Sequence, residues 1–243
     1  MASFDTKWLP VQFSTLALCA ALISTPLHAA EASFSNIVGT AYSVKTGALL
    51  YRETHQPLTN DRYNVEYSEP DGQIFGQKRL DFSTSKVTPS FTQRNDRNGE
   101  FIEISQRVGN INVVYQENSE AGQDKKALKR EEGMVIDAGF DGFVKQYWAP
   151  LTSGKKLDVA YLVPSKQATF DFRVSQADCV DSTAEGAQCF SLTPVSWLVK
   201  MAVDPIIVAY DPTNKRLLRF TGRANICDAN GKYENVDIQY RYF

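Results

Sequence analysis

The sequence predicts a mainly β protein: a curved antiparallel sheet or incomplete barrel of about ten strands, with one or two helices packed on its concave face. Apolar and polar residues alternate with a period of two through most of the chain, as Tyr63, Val65 and Tyr67 do against Asn64, Glu66 and Ser68. Short glycine- and asparagine-containing turns separate these runs, which is how hairpins are written. One stretch breaks the pattern. In residues 135–150, VIDAGFDGFVKQYWAP, the side chains of Ile136, Phe140, Phe143, Val144 and Tyr147 fall on one face of a 3.6-residue period. The other side carries Asp137, Asp141 and Lys145, so this helix should lay its rings on the sheet and keep its charges in water.

Residues 1–30 read as a signal peptide. Lys7 lies in a polar start, Leu16 to Ile23 is an apolar run, Pro26 breaks it, and Ala29-Ala30 offers small residues for cleavage before Glu31. The run is shorter than the roughly 20 residues a bilayer requires. Cys19 lacks a small residue directly before it, which argues against acylation. Residues 31–243 then form a single β-rich domain, exported to the periplasm or secreted. Cleavage removes Cys19 and His28 from totals of four cysteines and two histidines, leaving three cysteines and His55.

The remaining elements follow in order. Ile37 to Val44 and Ala48 to Thr54 flank a turn at Lys45-Thr46-Gly47. Tyr63 to Tyr67 and Ile74 to Phe82 flank Pro70-Asp71-Gly72. A third ribbon runs from Phe91 through Asn98-Gly99, Ile102 to Val108 and Ile111 to Tyr115. Residues 117–133 are polar with mixed charges and read as a solvated loop. The helix follows, with Asp137 as its N-cap and Pro150 at its end. Gly139 and Gly142 each weaken it by about 1 kcal/mol against alanine. Either they admit another backbone at close range, or the helix is short and held by packing. Val159 to Val163 is apolar on both faces, as a strand covered by that helix should be. Phe170, Phe172 and Val174 continue the sheet, Ser196 to Val203 reads as a brief second helix, and strands at Ile206–Tyr210, Leu217–Thr221 and Val236–Tyr242 complete it.

Little in this chain spells a reaction. The formal net charge is −2 with both signs interspersed, so no nucleic-acid partner is expected and no electrostatic argument from composition favours an anionic membrane surface. With one histidine left, neither a catalytic zinc centre nor a serine triad has its usual ligands or base, and no metal or cofactor is expected. His55 reads as an exposed loop residue. Cys179 and Cys189 bracket a polar, small-residue loop and are the expected disulfide, leaving Cys227 over; three cysteines permit three pairings, and Cys227 could replace either partner if the fold brings it near. Asp137 and Asp141 share a helix face, but Asp141 has Lys145 four residues later as an ion-pair partner. Asp178, Asp181 and Glu185 lack the ligand periodicity of a calcium loop. Phe243 falls out of phase with Val236, Ile238, Tyr240 and Tyr242, which argues against an outer-membrane barrel.

Fourteen Phe, eleven Tyr and three Trp are more than core filling demands. If a ligand site exists, Phe140, Phe143, Tyr147 and Trp148 should line one wall and Tyr161, Phe170 and Phe172 the other, around an apolar hollow.

GTAYSVKTGALLYRE at 39–53, VIDAGFDGFVKQYW at 135–148 and DPIIVAYDPTNKRLLRFTGRANI at 204–226 resemble an uncharacterised family of exported bacterial proteins with no assigned activity. More distantly, the order of hairpins, covering helix and final strands is similar to the periplasmic lipoprotein-carrier type of half-barrel fold, which implies an apolar ligand. The expectation is a non-enzymatic, exported protein, not integral to the membrane, that binds an apolar small molecule, a lipid or acyl chain, or an envelope partner. A structural or interaction module without a cavity is the alternative. A carboxylate-dependent hydrolase is the third, and it needs two inward carboxylates roughly 5–10 Å apart.

Overall fold

The computed structural model describes residues 36–58, 61–200 and 203–243, together with Met1. The expected signal peptide at 1–30 otherwise lies outside the described residues. The strands are β1 (Ile37–Ser43), β2 (Leu49–Pro57), β3 (Arg62–Ser68), β4 (Ile74–Asp81), β5 (Ser90–Asn95), β6 (Glu100–Arg107), β7 (Asn110–Gln116), β8 (Asp124–Lys129) and β9 (Met134–Ile136). After helices α1 (Gly139–Gln146) and α2 (Trp148–Thr152) come β10 (Leu157–Val163), β11 (Ala168–Gln176) and β12 (Gln188–Pro194). A four-residue helix α3 (Trp197–Lys200) precedes β13 (Ile206–Tyr210), β14 (Leu217–Arg223) and β15 (Asn235–Tyr242).

All fifteen strands belong to one sheet, in the order β8-β7-β6-β5-β4-β3-β2-β1-β15-β14-β13-β12-β11-β10-β9. Neighbours in sequence pair antiparallel, with three departures, one being that β8 and β9 stand at opposite ends of the order. The first and last strands meet in the middle, Ala41 opposite Ile238, and β9 runs parallel to β10 at one edge. The strand number exceeds the expected ten because several strands lack a strong apolar phase. The middle of the segment read as a loop at 117–133 is the 6-residue strand β8, whose sequence DKKALK is almost entirely exposed and pairs only with β7. Lysine-rich, wet edge strands of this kind resist edge-to-edge association, so hydrophobic alternation does not reveal them.

The helix expected over 135–150 is broken. Val135 and Ile136 end β9, α1 spans only eight residues, and the chain turns at Tyr147 into α2. Asp137 is not the N-cap: Ala138 holds that position, and no side chain caps the helix. Asp137 sits at φ 47° and its carboxylate accepts a 2.5 Å bond from Lys78 Nζ, so it serves the sheet rather than the helix. Pro150 lies inside α2, where a first-turn residue needs no N–H partner. Both expectations for the glycines hold, since the helix is short and another backbone touches it. A Cβ on Gly139 would lie 1.9 Å from the Val87 carbonyl oxygen, and one on Gly142 would lie 2.2 Å from that of Lys86.

The loop between β4 and β5 is therefore clamped on α1, and Val87 O also accepts the Ile136 N–H at 3.1 Å. Two apolar cores result. The first joins Tyr51, Tyr67, Phe75, Ile104 and Ile111 to Met134, Ile136 and Leu162, so strands from opposite ends of the order share one interior. The second packs Phe140, Phe143, Val144 and Leu151 from the helices on Val159, Phe172, Phe190, Leu192, Val208 and Tyr210. Strand β10 serves both, through Leu162 on one face and Val159 on the other, as its two-sided apolar sequence implies.

Candidate functional site

The structure gathers most of the seven expected rings. Phe140, Phe143 and Phe172 are buried in the second core, with Trp148 and Tyr161 partly buried against it. Trp148 meets Phe190 and Tyr210 edge-on at 5.4 and 5.8 Å, and Tyr161 lies 5.6 Å from Phe172. Tyr147 stacks on Phe143 at 4.6 Å and remains 37% exposed. Phe170 pairs across the strands with Tyr161 but is 36% exposed and stands apart from the cluster. Beside Tyr147 an open hollow of about 240 Å³ is walled by Val87, Met134, Phe143 and Tyr147 and rimmed by Arg130 and Glu131.

A second constellation lies inside the first core. Glu53, Lys78, Gln93, Asn95 and Glu100 are each 1–2% exposed. Glu53 and Glu100 stand in one cross-strand row, Glu53–Tyr67–Gly76–Asn95–Glu100, on β2 to β6. Glu53 Oε1 accepts from Tyr240 at 2.7 Å and lies 3.0 Å from His55 Nε2. Burial opposes its charge, but His55, Tyr240 and Lys78 outweigh that and hold the carboxyl below its ordinary range. Glu100 accepts from the Tyr233 hydroxyl, yet burial prevails and raises its carboxyl. Lys78 pairs with Asp137 and lies 4.5 Å from the Phe91 ring centre. The β14–β15 connection dips into this interior, where Gln93 donates to Asn225 O at 2.8 Å and Asn95 to Cys227 O at 2.9 Å.

This network corrects one expectation. His55 belongs to β2 and partners Glu53 instead of lying in an exposed loop. Its position in phase with Tyr51 and Glu53 was the available signal, as was Lys78 in phase with Leu80. A charge in phase with core residues marks a buried ion pair. Cys179 and Cys189 form the expected disulfide, leaving Cys227 free and buried. Burial first, then the charge of Glu100, push the Cys227 thiol up to about 11, so it carries little thiolate at neutral pH. Asp141 and Lys145 make their ion pair at 2.7 Å. Among the described residues, no group of three or more His, Cys, Asp or Glu is arranged to hold a metal ion, and no helix is long and apolar enough to cross a membrane.

Fold and site thus define a mainly β protein, with one open sheet around two apolar cores and a buried charge network. No family model matches the chain, and no curated protein matches it. Among solved structures it is similar to the beta-barrel-like protein of Domain of Unknown Function DUF1849 from Brucella abortus. That likeness has 8% identity and a TM-score of 0.40, and it covers 86% of this chain and 95% of that one.

Proposed function

We propose that this chain is an exported, non-enzymatic protein of the periplasm or the secreted fraction. It binds an apolar ligand, a lipid or acyl chain, at the hollow beside α1. The observation that carries this is Tyr147, whose half-exposed ring continues the buried Phe143 into the wall of an opening lined by Val87 and Met134. The opening falls below the roughly 300–1,000 Å³ of a site that encloses a whole small molecule. It suits one end of an acyl chain.

The Cys179–Cys189 bond supports export, because disulfides persist in oxidising compartments. So does the apolar run at Leu16 to Ile23, with the resemblance of residues 39–53, 135–148 and 204–226 to exported bacterial proteins. The non-enzymatic part rests on the state of the buried acids. Glu53 and Glu100 are both tied to buried phenols, which suits structural carboxylates better than those of a hydrolase. An envelope protein inserting an apolar side chain at the same opening is the second reading, favoured by the rim charges Arg130 and Glu131.

Native mass spectrometry before and after delipidation tests the ligand reading. Purified protein should carry an adduct of lipid mass that delipidation removes and Tyr147→Ser prevents, at an unchanged thermal midpoint. If no adduct is found and an added fluorescent fatty acid is not bound, the ligand reading fails and the envelope partner takes its place.

A further inference from the structure

Three connections meet at one end of the sheet: the β1–β2 turn, the β12–β13 connection and the β14–β15 connection. Ser43 stands opposite Val236, Arg223 stands opposite Asn235, and Val44 N donates to Asn235 O at 3.1 Å. Between them is an open hollow of about 370 Å³ whose wall carries three cations, Lys45, Arg223 and Lys232, and two carboxylates, Asp204 and Glu234. Both carboxylates are engaged, Glu234 by Lys232 and Asp204 by Asn235 Nδ2 at 2.6 Å. Lys45 and Arg223 make no ion pair among the described residues, and the Arg223 guanidinium lies 4.9 Å from the Tyr233 ring centre. The Asn235 amide leaves the charge of Asp204 in place, so an anion entering this hollow would meet two cations without an ion-pair partner and one net positive charge.

The same connections carry exposed apolar side chains. The segment that brings Val203 and Asp204 to the hollow also presents Val195, Trp197 and Leu198, the last two 68% and 62% exposed. On the neighbouring turn Val44 is 54% exposed. Tryptophan with aliphatic neighbours, on a connection whose far end walls a cationic hollow, suits the boundary between headgroups and acyl chains, where an indole rests at headgroup depth and basic groups find phosphate. A free phosphate would use the cations and leave the apolar side chains idle. A phospholipid surface engages both.

We propose that this end of the molecule docks on an anionic phospholipid surface, with a headgroup phosphate between Lys45 and Arg223 and with Trp197 and Leu198 in the acyl boundary. The site is separate from the opening at Tyr147, so either stands or falls without the other.

The test is flotation of protein, purified in the form that cells accumulate, with phosphatidylglycerol vesicles. Binding should weaken as salt rises. Lys45→Ala with Arg223→Ala should weaken it about 25-fold, about fivefold for each cation at about 1 kcal/mol near an anionic surface. Trp197→Ser with Leu198→Ser should abolish it, whereas Tyr147→Ser should leave it intact. All these side chains are exposed or partly exposed, and matching circular dichroism spectra verify that the variants fold. Wild-type protein that does not float, or binding that both double variants retain, overturns the proposal. So does calorimetric binding of inorganic phosphate without vesicle binding, which would make the hollow a free-anion site.

Discussion

Replacing Gly139 with alanine sets two effects of opposite sign against each other. In a solvated helix the change stabilises by about 1 kcal/mol. Here the new Cβ would sit 1.9 Å from Val87 O and 2.5 Å from the Val87 carbonyl carbon. A relaxed carbon–oxygen contact is about 3.3 Å, so the loop must retreat by more than an ångström. That retreat breaks the 3.1 Å bond from Ile136 N to Val87 O. Overpacking costs about 1–3 kcal/mol and the lost bond about 1 kcal/mol. After the helical gain, the net loss is about 2 kcal/mol. For a chain of this size that lowers the thermal midpoint by about 4–8 °C. Urea denaturation followed by tryptophan fluorescence reads the same loss as a lower midpoint at an unchanged slope. Gly122→Ala, whose Cβ would meet nothing within 4 Å, is the control and should move stability by less than about 0.5 kcal/mol. A Gly139→Ala protein as stable as wild type would show that the β4–β5 loop is not clamped on α1.

The other predictions concern the charges and the disulfide. Asp137→Asn keeps a residue that tolerates φ 47° but strands Lys78 as a buried cation, so chemical denaturation should show a loss of about 3–5 kcal/mol. Adding Lys78→Met should restore most of it; a double variant no better than the single one would argue against the pair. Reducing Cys179–Cys189, which are 10 positions apart, should destabilise by about 2–3 kcal/mol through loop entropy, measured as a midpoint shift with reductant.

The two buried acids should respond to pH with opposite signs. Glu53 has a lowered folded pKa, so its stabilisation is complete above the ordinary carboxylate range and fades as pH falls through the folded value. Glu53→Gln should therefore be less stable than wild type at pH 7, by a margin that narrows in acid. Glu100 has a raised folded pKa, so wild type loses stability as pH rises from the ordinary carboxylate range through that value. Glu100→Gln should remove this loss in a pH series of urea midpoints, and an unchanged profile would refute it.

The hairpins were legible because their signals are local. Alternation names the buried face of a strand, and turns such as Gly47 and Gly72, at φ 72° and 96°, name where the chain reverses. The disulfide was legible from the polar loop it closes. Strand β8 was hidden because a wet edge strand needs no apolar phase. In α1 the 3.6-residue period was right for Phe140, Phe143, Val144 and Tyr147, but it ran on into Ile136, which is apolar because β9 buries it. The contact between rings was partly legible, since periodicity placed Phe143 and Tyr147 together, but the opening beside them depends on where Val87 and Met134 come to rest.

By itself, the sequence determined a mainly β architecture, the order of most strands and one apolar helical face, and it favoured the pairing of Cys179 with Cys189, which the structure shows. Each follows from spacing along the chain and from side-chain chemistry. Only the tertiary structure decided that β1 pairs with β15, that the β4–β5 loop seats on two helix glycines, and that Glu53, Lys78, Asp137 and Glu100 share one interior. These contacts join residues tens to hundreds of positions apart, and periodicity tells a side chain which face it occupies but never what stands across from it.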